Sequence, residues 1–418
     1  MPRKLASVVE VEKVLPIENA DRIEVAEMSG KGWKVVVRKG EFAPGDLAVY
    51  FEIDSYLSAA DPRYGFLRDR CTRKFVSKSG AVLREGIKIM TAKMRGVVSQ
   101  GLLMPISQFV GDGREIRCTH RKPTSEDLTD ENGNALQQTE LDEILNEGIE
   151  ISELVLAADG TPVVPGLDLT SALGVEHYDE VAEMLRPATG GVNPVSADAY
   201  GKFPSGFVPK TDEERIQNLA DWFGTMRGRR WEVTAKFDGS SMTVFYSPTV
   251  DQENPFGVCS RNMRLKEFRE NGTKTLMWSV AEKYDLANKL KKLYVQTGNE
   301  WALQMECVGP GINSDRDKYL EHGAYVFRIW DVRRQCFVAP AERRAFCERE
   351  RIPHVQVIAT DMPFFDRITT MEEALAFAEG RTLRGNEREG VVLKTSDDGP
   401  FASFKIVSNR YLLKGEGA

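Results

Sequence analysis

The sequence predicts an α+β protein, made of a β-rich N-terminal barrel and a larger C-terminal domain with antiparallel sheets. The first 110 residues alternate short β-rich runs with turn residues, whereas the residues after 205 mix β-like runs with helical patterns. Between these parts, the stretch from 187 to 205 is dense in Pro, Gly and Ser, which is typical of a linker. We therefore place the main domain boundary within that stretch.

The N-terminal region, residues 1–110, contains five β-like runs, at 7–17, 21–30, 33–40, 47–54 and 101–107. Turn residues such as Gly30, Gly40 and the Pro44-Gly45 pair separate them, and this spacing is typical of a small barrel or sandwich. Several small barrels fit the pattern. An OB-like barrel is favoured because it commonly presents a concave face to nucleic acid.

The middle region, residues 111–204, begins as a polar and acidic insertion that includes the run TSEDLTDENGN. We expect short helices here, among them one that begins with Asp168 as its N-cap and continues with helical apolar spacing. The role that we expect for this region is linkage.

The C-terminal region, residues 205–418, has two kinds of pattern and no internal repeat. Helical patterns cover 211–226, 274–294 and 371–380, and β-like runs cover 231–246, 256–261, 301–308, 323–332 and 390–407. This mixture predicts an α+β domain whose sheet is largely antiparallel.

The composition is that of an ordinary globular protein, with 41% hydrophobic residues in 418. The N-terminus has no apolar leader and no stretch is long enough to span a bilayer, so we expect a cytoplasmic protein with no membrane partner. The six cysteines include no C-x-x-C pair and the four histidines are isolated, which disfavours a zinc site and a disulfide framework. A net charge of −7 excludes a basic surface overall but allows a basic groove.

The segment TAKFDGSS, residues 234–241, places a lysine within an apolar stretch. On a strand, Lys236 and Asp238 leave one face while Val233 and Ala235 point to the other. A strand that opens into a Gly-Ser turn at Gly239 can present an amine rigidly to a large ligand. The alternative is an ordinary ion pair on a sheet face.

Four further motifs follow Lys236 in order. Glu306 precedes a Gly-Pro-Gly turn, Phe327 lies in an aromatic strand, Glu389 begins a strand with Gly390, and Lys405 lies near the end of the chain. Taken one at a time, each residue is more often a strand-end charge, a core aromatic or an edge lysine. Their order is what makes the set informative.

This ordered set resembles the covalent nucleotidyltransferases, the superfamily of polynucleotide ligases and capping enzymes. The chain has Lys236-Phe237-Asp238-Gly239, Glu306-Cys307-Val308-Gly309, Phe327, Glu389-Gly390 and Lys405 where the family has K-x-D-G, E-x-x-G, an aromatic strand, E-G and a terminal lysine. The segment KTDEERIQN, residues 210–218, resembles the lead-in of ATP-dependent RNA ligases. A β-rich module before the catalytic domain resembles the clade with an N-terminal OB domain.

The resemblance implies an ATP-grasp-like ligase domain at 205–418 that uses ATP and Mg²⁺, with Mn²⁺ as a possible substitute. Its substrate would be RNA with 3′-OH and 5′-phosphate ends, as in a nicked duplex, joined through a lysyl-AMP and an adenylylated 5′ end. Lys236 would be the nucleophile, assisted by Asp238 and Lys405, and Glu306 and Glu389 would hold the metal. The nucleotide would contact Arg215, Lys236, Gly239, Arg261, Glu306, Phe327, Glu389 and Lys405.

The chemistry of such a nucleophile requires the amine to lose its proton, because a free lysine with a pKa of about 10.4 is charged at neutral pH. We expect burial, Lys405 and the bound metal to lower the pKa of Lys236.

Two departures from the family pattern affect the nucleotide contacts. The last motif often reads K-x-K, but Val407 follows Lys405-Ile406, so a second phosphate contact is either missing or comes from elsewhere, with Lys394 and Arg410 as candidates. A glutamate that recognises adenine often precedes the nucleophile, but Thr234 and Ala235 stand there. The side chains therefore leave ATP and GTP undistinguished.

Three alternatives remain at this stage. A capping-type guanylyltransferase and a DNA ligase share the lysine chemistry, but both usually have further domains after the catalytic core, and only 13 residues follow Lys405. The third alternative, from another class, is a non-catalytic nucleic-acid-binding protein in which the OB-like module binds the ligand. Uptake of label from α-labelled ATP would separate it from the enzymes.

Overall fold

The computed structural model describes residues 4–77, 79–109, 120–121, 149–150, 164–178, 181, 198–313 and 315–415. The chain forms two compact units, Met1–Gly190 and Gly191–Ala418. Most of the predicted acidic insertion at 111–165 and most of the linker at 187–205 lie outside the described residues.

The first unit is built mainly of strands. They are β1 (Ala6–Pro16), β2 (Ile23–Met28), β3 (Lys34–Arg38), β4 (Leu47–Phe51), β5 (Ser55–Ser58), β6 (Thr72–Val76), β7 (Val82–Lys88), β8 (Thr91–Met94), β9 (Val97–Gln100), β10 (Leu102–Pro105), β11 (His120–Arg121), β12 (Ile149–Glu150) and β13 (Glu176–His177). The described residues of this unit also include a short helix α1 (Arg68–Cys71) and two 3₁₀ turns, Pro62–Leu67 and Ile106–Gln108.

The main sheet of this unit has the order β10, β4, β1, β2, β3, with antiparallel neighbours. Strands β1 and β4 contribute to a buried face of this sheet. Val8 of β1 packs with Val49 and Phe51 of β4 in one hydrophobic cluster. A hydrogen bond from the Val36 amide to the Ser99 hydroxyl (2.9 Å) links β3 to β9. All five β-like runs predicted in this region form strands.

The second unit contains most of the helices that the structure describes. Its strands are β14 (Ala199–Lys202), β15 (Glu214–Arg215), β16 (Trp231–Lys236), β17 (Ser240–Tyr246), β18 (Phe256–Cys259), β19 (Met263–Leu265), β20 (Trp301–Val308), β21 (Gly323–Asp331), β22 (Cys336–Phe337), β23 (Val357–Met362), β24 (Gly390–Thr395) and β25 (Ser403–Val407). Its helices are α2 (Trp222–Thr225), α3 (Leu276–Lys283), α4 (Leu286–Thr297), α5 (Pro340–Glu350), α6 (Phe364–Arg367), α7 (Met371–Ala378) and α8 (Asn409–Gly415), with a 3₁₀ turn at Ile216–Asn218.

These strands form two sheets, which we call the large sheet and the small sheet. The large sheet has the order β14, β19, β18, β17, β20, β21, β22, and the small sheet has the order β15, β25, β24, β16, β23. Both are antiparallel except for the parallel pair of β15 and β25. The α+β class predicted from the sequence is confirmed.

Alternation along the strands gives each sheet an apolar face and a polar face. In the small sheet, Val233, Val391 and Phe404 pack in one hydrophobic cluster, and in the large sheet Met242, Met305 and Val326 pack in another. The remaining faces carry polar side chains and meet, since Arg328 of β21 hydrogen-bonds to Ser403 of β25. The space between these polar faces is the candidate site.

Two helix predictions are wrong. Residues 211–226 do not form one helix, because Glu214 and Arg215 pair with β25, a 3₁₀ turn follows, and only Trp222–Thr225 is α-helical. Asp168 does not begin a helix, because its carboxylate accepts from the Thr170 amide (2.9 Å) in a turn and the chain then forms β13. In both places pairing with a distant strand overrides local helical spacing.

Two further features bear on the sequence analysis. In the part of the chain that the structure describes, no helix is long and apolar enough to cross a membrane. Cys71, Cys259, Cys307, Cys336 and Cys347 are free thiols, and Cys118 lies outside the described residues.

Candidate active site

Lys236 lies where the chain passes from the small sheet to the large sheet. It is the last residue of β16, and Ser240 begins β17 in the other sheet. Asp238 therefore lies in the connection and not on the strand. Gly239 is required in this connection, because a Cβ there would stand 2.4 Å from the carbonyl oxygen of Cys307.

The amine of Lys236 is held by Glu389. Lys236 pairs in register with Gly390 of β24, which brings Glu389 beside it although 153 positions separate the two residues. Lys236 Nζ lies 2.6 Å from Glu389 Oε1. Gly390 is needed next to Glu389, because a Cβ at this position would stand 2.1 Å from the Ile406 carbonyl oxygen.

Glu306 approaches the same amine from the large sheet. It pairs with Ser241 of β17 and with Tyr325 of β21, so it belongs to the polar face of the central strand β20. Burial raises the pKa of Glu306 to about 8, and the negative charges of Glu389 and Asp238 add to this, against the opposite effect of Lys236. The site thus concentrates more carboxylate than the lysine alone neutralises.

The pKa of Lys236 differs from the sequence-based expectation. Burial lowers it, but the charges of Glu389, Glu306 and Asp238 outweigh burial and hold the pKa above its ordinary value. The protein's own groups therefore favour the ammonium form. Deprotonation of this amine would require added positive charge that competes for these carboxylates.

Asp238 is held by two residues that the sequence analysis missed. It accepts hydrogen bonds from the Tyr411 hydroxyl and from Asn313 Nδ2, the latter at 3.2 Å. Burial raises the pKa of Tyr411, and the negative charge of Glu389 adds to the effect, so the hydroxyl remains a donor. Neither Tyr411, near Gly415, nor Asn313, near Gly311, belongs to a recognised motif, and their positions in the sequence do not indicate that they bind Asp238.

Lys405 and Arg215 place two cations side by side on the small sheet. They are register partners in the parallel pair of β15 and β25. Burial lowers the pKa of Lys405, and the positive charges of Lys236 and Arg215 act in the same direction, although Asp212 opposes them. Neighbouring cations with little exposure to water are suited to an anionic group such as a phosphate.

Asp212 joins Lys405 to Arg261. Its carboxylate lies 2.8 Å from Lys405 Nζ and 3.4 Å from Arg261 Nη2. The side chains of Asp212 and Arg261 are more than half exposed, whereas that of Lys405 is 18% exposed. Arg261 therefore lies at the outer edge of the site, beside the pair of Asp212 and Lys405.

Neither candidate for the second phosphate cation lies beside Lys405. Arg410 is exposed and pairs with Glu379 (2.9 Å). Lys394 is buried and lies two positions along β24 from Val392, the register partner of Lys405. The cation that does neighbour Lys405 is Arg215.

Phe327 lies at a bulge in β21, on the polar face of the large sheet. Val326 and Arg328 pair with consecutive residues of β20, so Phe327 is the extra residue between them. Its ring is half-buried and 6.0 Å from the amine of Lys394. The ring is thus available for contact with a ligand, unlike a core aromatic.

A buried ionic cluster lies next to Phe327. Arg328 pairs with Glu213 (3.1 Å), and Arg343 of α5 pairs with Glu232 of β16 (2.9 Å). Burial lowers the pKa of Lys394, which lies among these groups, to about 7, and Arg328 and Arg343 contribute to the lowering. The cluster connects both sheets, the lead-in segment and helix α5.

The carboxylates fit a divalent cation that shares its coordination with a substrate. Glu389 Oε2 is buried without a hydrogen-bond partner, and burial raises the pKa of Glu306 because the charge of Lys236 offsets it only in part. Among the described residues there is no group of three carboxylate, histidine or cysteine ligands that could enclose a metal. Mg²⁺ often binds in this way, through one or two carboxylates, water and substrate phosphates.

Comparison with known proteins agrees with this geometry. Residues 229–407 match the sequence model of the RNA ligase family, and residues 5–106 match that of an OB-fold domain. No curated protein matches the chain.

Several similar solved structures are of the Naegleria gruberi RNA ligase. A lysine-to-methionine mutant with AMP and Mn has a TM-score of 0.71 at 29% identity, covering 99% of each chain. The structure with PPi has a TM-score of 0.71 at 29% identity, covering 100% of each chain. A glutamate-to-alanine mutant with ATP and Mn has a TM-score of 0.70 at 28% identity, covering 99% of each chain.

The likeness extends over both units, and the matched ligase segment contains Lys236, Glu306, Glu389 and Lys405. These findings confirm the recognition and the fold class predicted from the sequence. The chain therefore contains an RNA ligase domain, residues 229–407, preceded by an OB-fold domain, residues 5–106.

Proposed function

We propose that this RNA ligase uses ATP to join a 3′-OH to a 5′-phosphate, with a nicked duplex as its substrate and Lys236 as its nucleophile. The observation that supports this most directly is the position of the Lys236 amine, 2.6 Å from Glu389, next to Glu306 and on the same side as Lys405. The Naegleria structures with ATP, AMP and PPi contain the substrate, nucleotide and leaving group that this reaction requires.

In the first step, the lone pair of Lys236 Nζ attacks the α-phosphorus of ATP. A P–N bond forms, the bond to the bridging oxygen breaks, and pyrophosphate leaves. Lys405 and Arg215 face the α-phosphate and stabilise the negative charge that develops on it. Phe327 stacks on the base, and Gly239 lets the connection after Lys236 pack against the Cys307 carbonyl of β20.

Glu306 and Glu389 are the residues that would hold Mg²⁺, or Mn²⁺ in its place. When bound, the metal neutralises phosphate charge and makes both carboxylates less available to the lysine ammonium. Asp238 stays oriented by Tyr411 and Asn313, so that it faces the amine during each transfer.

In the second step, an oxygen of the RNA 5′-phosphate attacks the phosphorus of lysyl-AMP. A P–O–P bond forms, the P–N bond breaks, and the lysine recovers its electron pair. In the third step, the 3′-OH attacks the 5′-phosphate, the phosphodiester forms and AMP leaves. These two steps use the same protein groups as the first step, because Lys405 and Arg215 face a phosphate in each of them.

The test of this proposal is covalent labelling with α-labelled ATP and Mg²⁺. The wild-type protein should retain acid-stable label on the denatured chain, and Lys236→Ala should retain none while keeping the wild-type melting temperature. Wild-type uptake by the variant would exclude Lys236 as the nucleophile. The labelled protein is then given nicked duplexes with RNA or DNA at the 3′-OH side, and equal sealing of both would contradict an RNA-specific nick ligase.

We also propose the division into an OB-like domain at 1–110, a connecting region at 111–204 and a catalytic domain at 205–418. The separation into compact units at Gly190 and Gly191 supports it, since this point lies inside the Pro-, Gly- and Ser-rich stretch. A cytoplasmic location remains a proposal that rests on the composition.

A further inference from the structure

Gln304 is a buried side chain of the polar face that the mechanism above does not use. It lies on β20, two residues before Glu306, and is 2% exposed. Its register partners are Thr243 on β17 and Arg328 on β21. Its side chain therefore lies on the same face of β20 as that of Glu306, one side-chain position farther from the C-terminal end of the strand.

The amide of Gln304 has a fixed orientation. Its Nε2 donates to the carbonyl oxygen of Pro209 at 2.8 Å, and a flipped amide would place two acceptor oxygens against each other. The other atom, Oε1, is buried and has no hydrogen-bond partner among the described residues. Gln304 therefore presents an acceptor and no donor.

This side chain lines an open cleft together with Ser241, Thr243, Lys210 and Arg261. A buried acceptor without a partner costs about 1–3 kcal/mol, so a group at this position is expected to receive a donor from a ligand. Because the cleft opens beside the Asp212–Arg261 pair, it is continuous with the proposed nucleotide site.

The position of Gln304 suits the base and not the phosphates. Two residues along a strand correspond to roughly 7 Å, so Gln304 is about that far from Glu306, which faces the Lys236 amine. Phe327, the proposed stacking ring, lies in the bulge immediately before Arg328, the partner of Gln304. A base stacked on this ring would bring one of its edges toward Gln304.

We infer that Gln304 Oε1 accepts a hydrogen bond from the exocyclic amine of adenine and thereby selects ATP over GTP. This rests on the proposed function. Adenine has an N6 amine donor where guanine has the O6 acceptor, so a fixed acceptor favours adenine and repels guanine. Gln304 would thus take the role of the glutamate that Thr234 and Ala235 replace.

The test compares nucleotides that differ by one group, on the full-length protein. The rate of lysine adenylylation, as kcat/KM, is measured with ATP, with purine riboside triphosphate, which lacks the N6 amine, and with 2′-deoxyATP. Wild type should prefer ATP to purine riboside triphosphate by about tenfold or more, the value of one buried hydrogen bond. Gln304→Met should lose this preference, whereas the ratio of ATP to 2′-deoxyATP stays at its wild-type value.

Thr243→Val is the matched control, because Thr243 lines the same cleft and is the register partner of Gln304. It should keep the wild-type ratio of ATP to purine riboside triphosphate. Each ratio compares two nucleotides on the same variant, so a substitution that lowers activity with every nucleotide leaves the ratio unchanged.

Three results would overturn the inference. The first is that wild type uses purine riboside triphosphate as well as ATP, a result that does not depend on the folding of any variant. Gln304→Met could keep the preference for ATP, or it could change the 2′-deoxyATP ratio instead, which would assign Gln304 to the ribose. If the wild-type protein takes up no label from any nucleotide, the proposed function is wrong and this inference is wrong with it. That outcome differs from a failure of base recognition alone, in which the wild-type protein still takes up label.

Discussion

Replacing Lys394 with methionine should remove a pH dependence from the stability of the catalytic unit. Lys394 is 4% exposed and is surrounded by Glu213 and Arg328 on one side and by Glu232 and Arg343 on the other. Burial lowers its pKa to about 7 from an ordinary value of 10.5. Methionine has a similar length and no charge, so the variant keeps the packing and lacks the titrating amine.

The sign follows from the protons bound in each state. The native state releases the proton of Lys394 near pH 7, and the unfolded chain retains it until about pH 10.5. Between these values the unfolded chain binds more protons, so the free energy of unfolding rises with pH. A full proton corresponds to about 1.4 kcal/mol per pH unit, and the rise from pH 7 to pH 9 amounts to about 2 kcal/mol.

The assay is urea unfolding at pH 7, 8 and 9, followed by tryptophan fluorescence. Five of the six tryptophans, all except Trp33, lie in the unit from 191 to 418, so the signal follows this unit. The difference between wild type and Lys394→Met in the free energy of unfolding should change by about 2 kcal/mol over this range. Lys291→Met, which removes an exposed lysine on α4, should follow the wild-type profile. Parallel profiles for wild type and Lys394→Met would refute the reasoning.

Three further predictions concern the active site. Glu389→Ala should raise the Mg²⁺ concentration needed for half-maximal lysine adenylylation by about tenfold or more, since a lost ligand weakens metal affinity, and an unchanged titration would remove Glu389 from the metal site. Tyr411→Phe should slow adenylylation by about five- to tenfold, the value of one hydrogen bond to Asp238, at an unchanged melting temperature; a wild-type rate would show that the Tyr411 hydroxyl does not orient Asp238. Arg215→Ala should raise the KM for ATP more than Arg215→Lys does, because the lysine keeps a charge beside Lys405, and equal KM values for the two variants would exclude an electrostatic role.

Much of the fold could be predicted because its strands have local signatures. The five N-terminal runs and the runs at 231–246, 256–261, 301–308, 323–332 and 390–407 all form strands. Helix α5 and strand β23 were not predicted. Helix α5 buries Arg343, which pairs with Glu232 over a separation of 111 residues, and no local pattern indicates such a contact.

The order of residue types along the chain determined which residues to examine. Lys236, Glu306, Glu389 and Lys405 stand out because their order along the chain resembles the motifs of the covalent nucleotidyltransferases, whose chemistry requires an amine, carboxylates and cations. The structure brings Lys236 together with both glutamates and places Lys405 on the same side. Gly239 and Gly390 also follow from the sequence, because only glycine allows the backbone to approach so closely.

Tertiary structure alone decided how these groups act on one another. The register of β24 against β16 puts Glu389 on the lysine, so the carboxylates outweigh burial and raise the pKa of Lys236. The parallel pairing of β15 with β25 makes Arg215 the neighbour of Lys405 in place of a lysine at Val407. Ionisation and hydrogen bonding depend on distances of a few ångströms between residues far apart in sequence, and only the packed sheets set those distances.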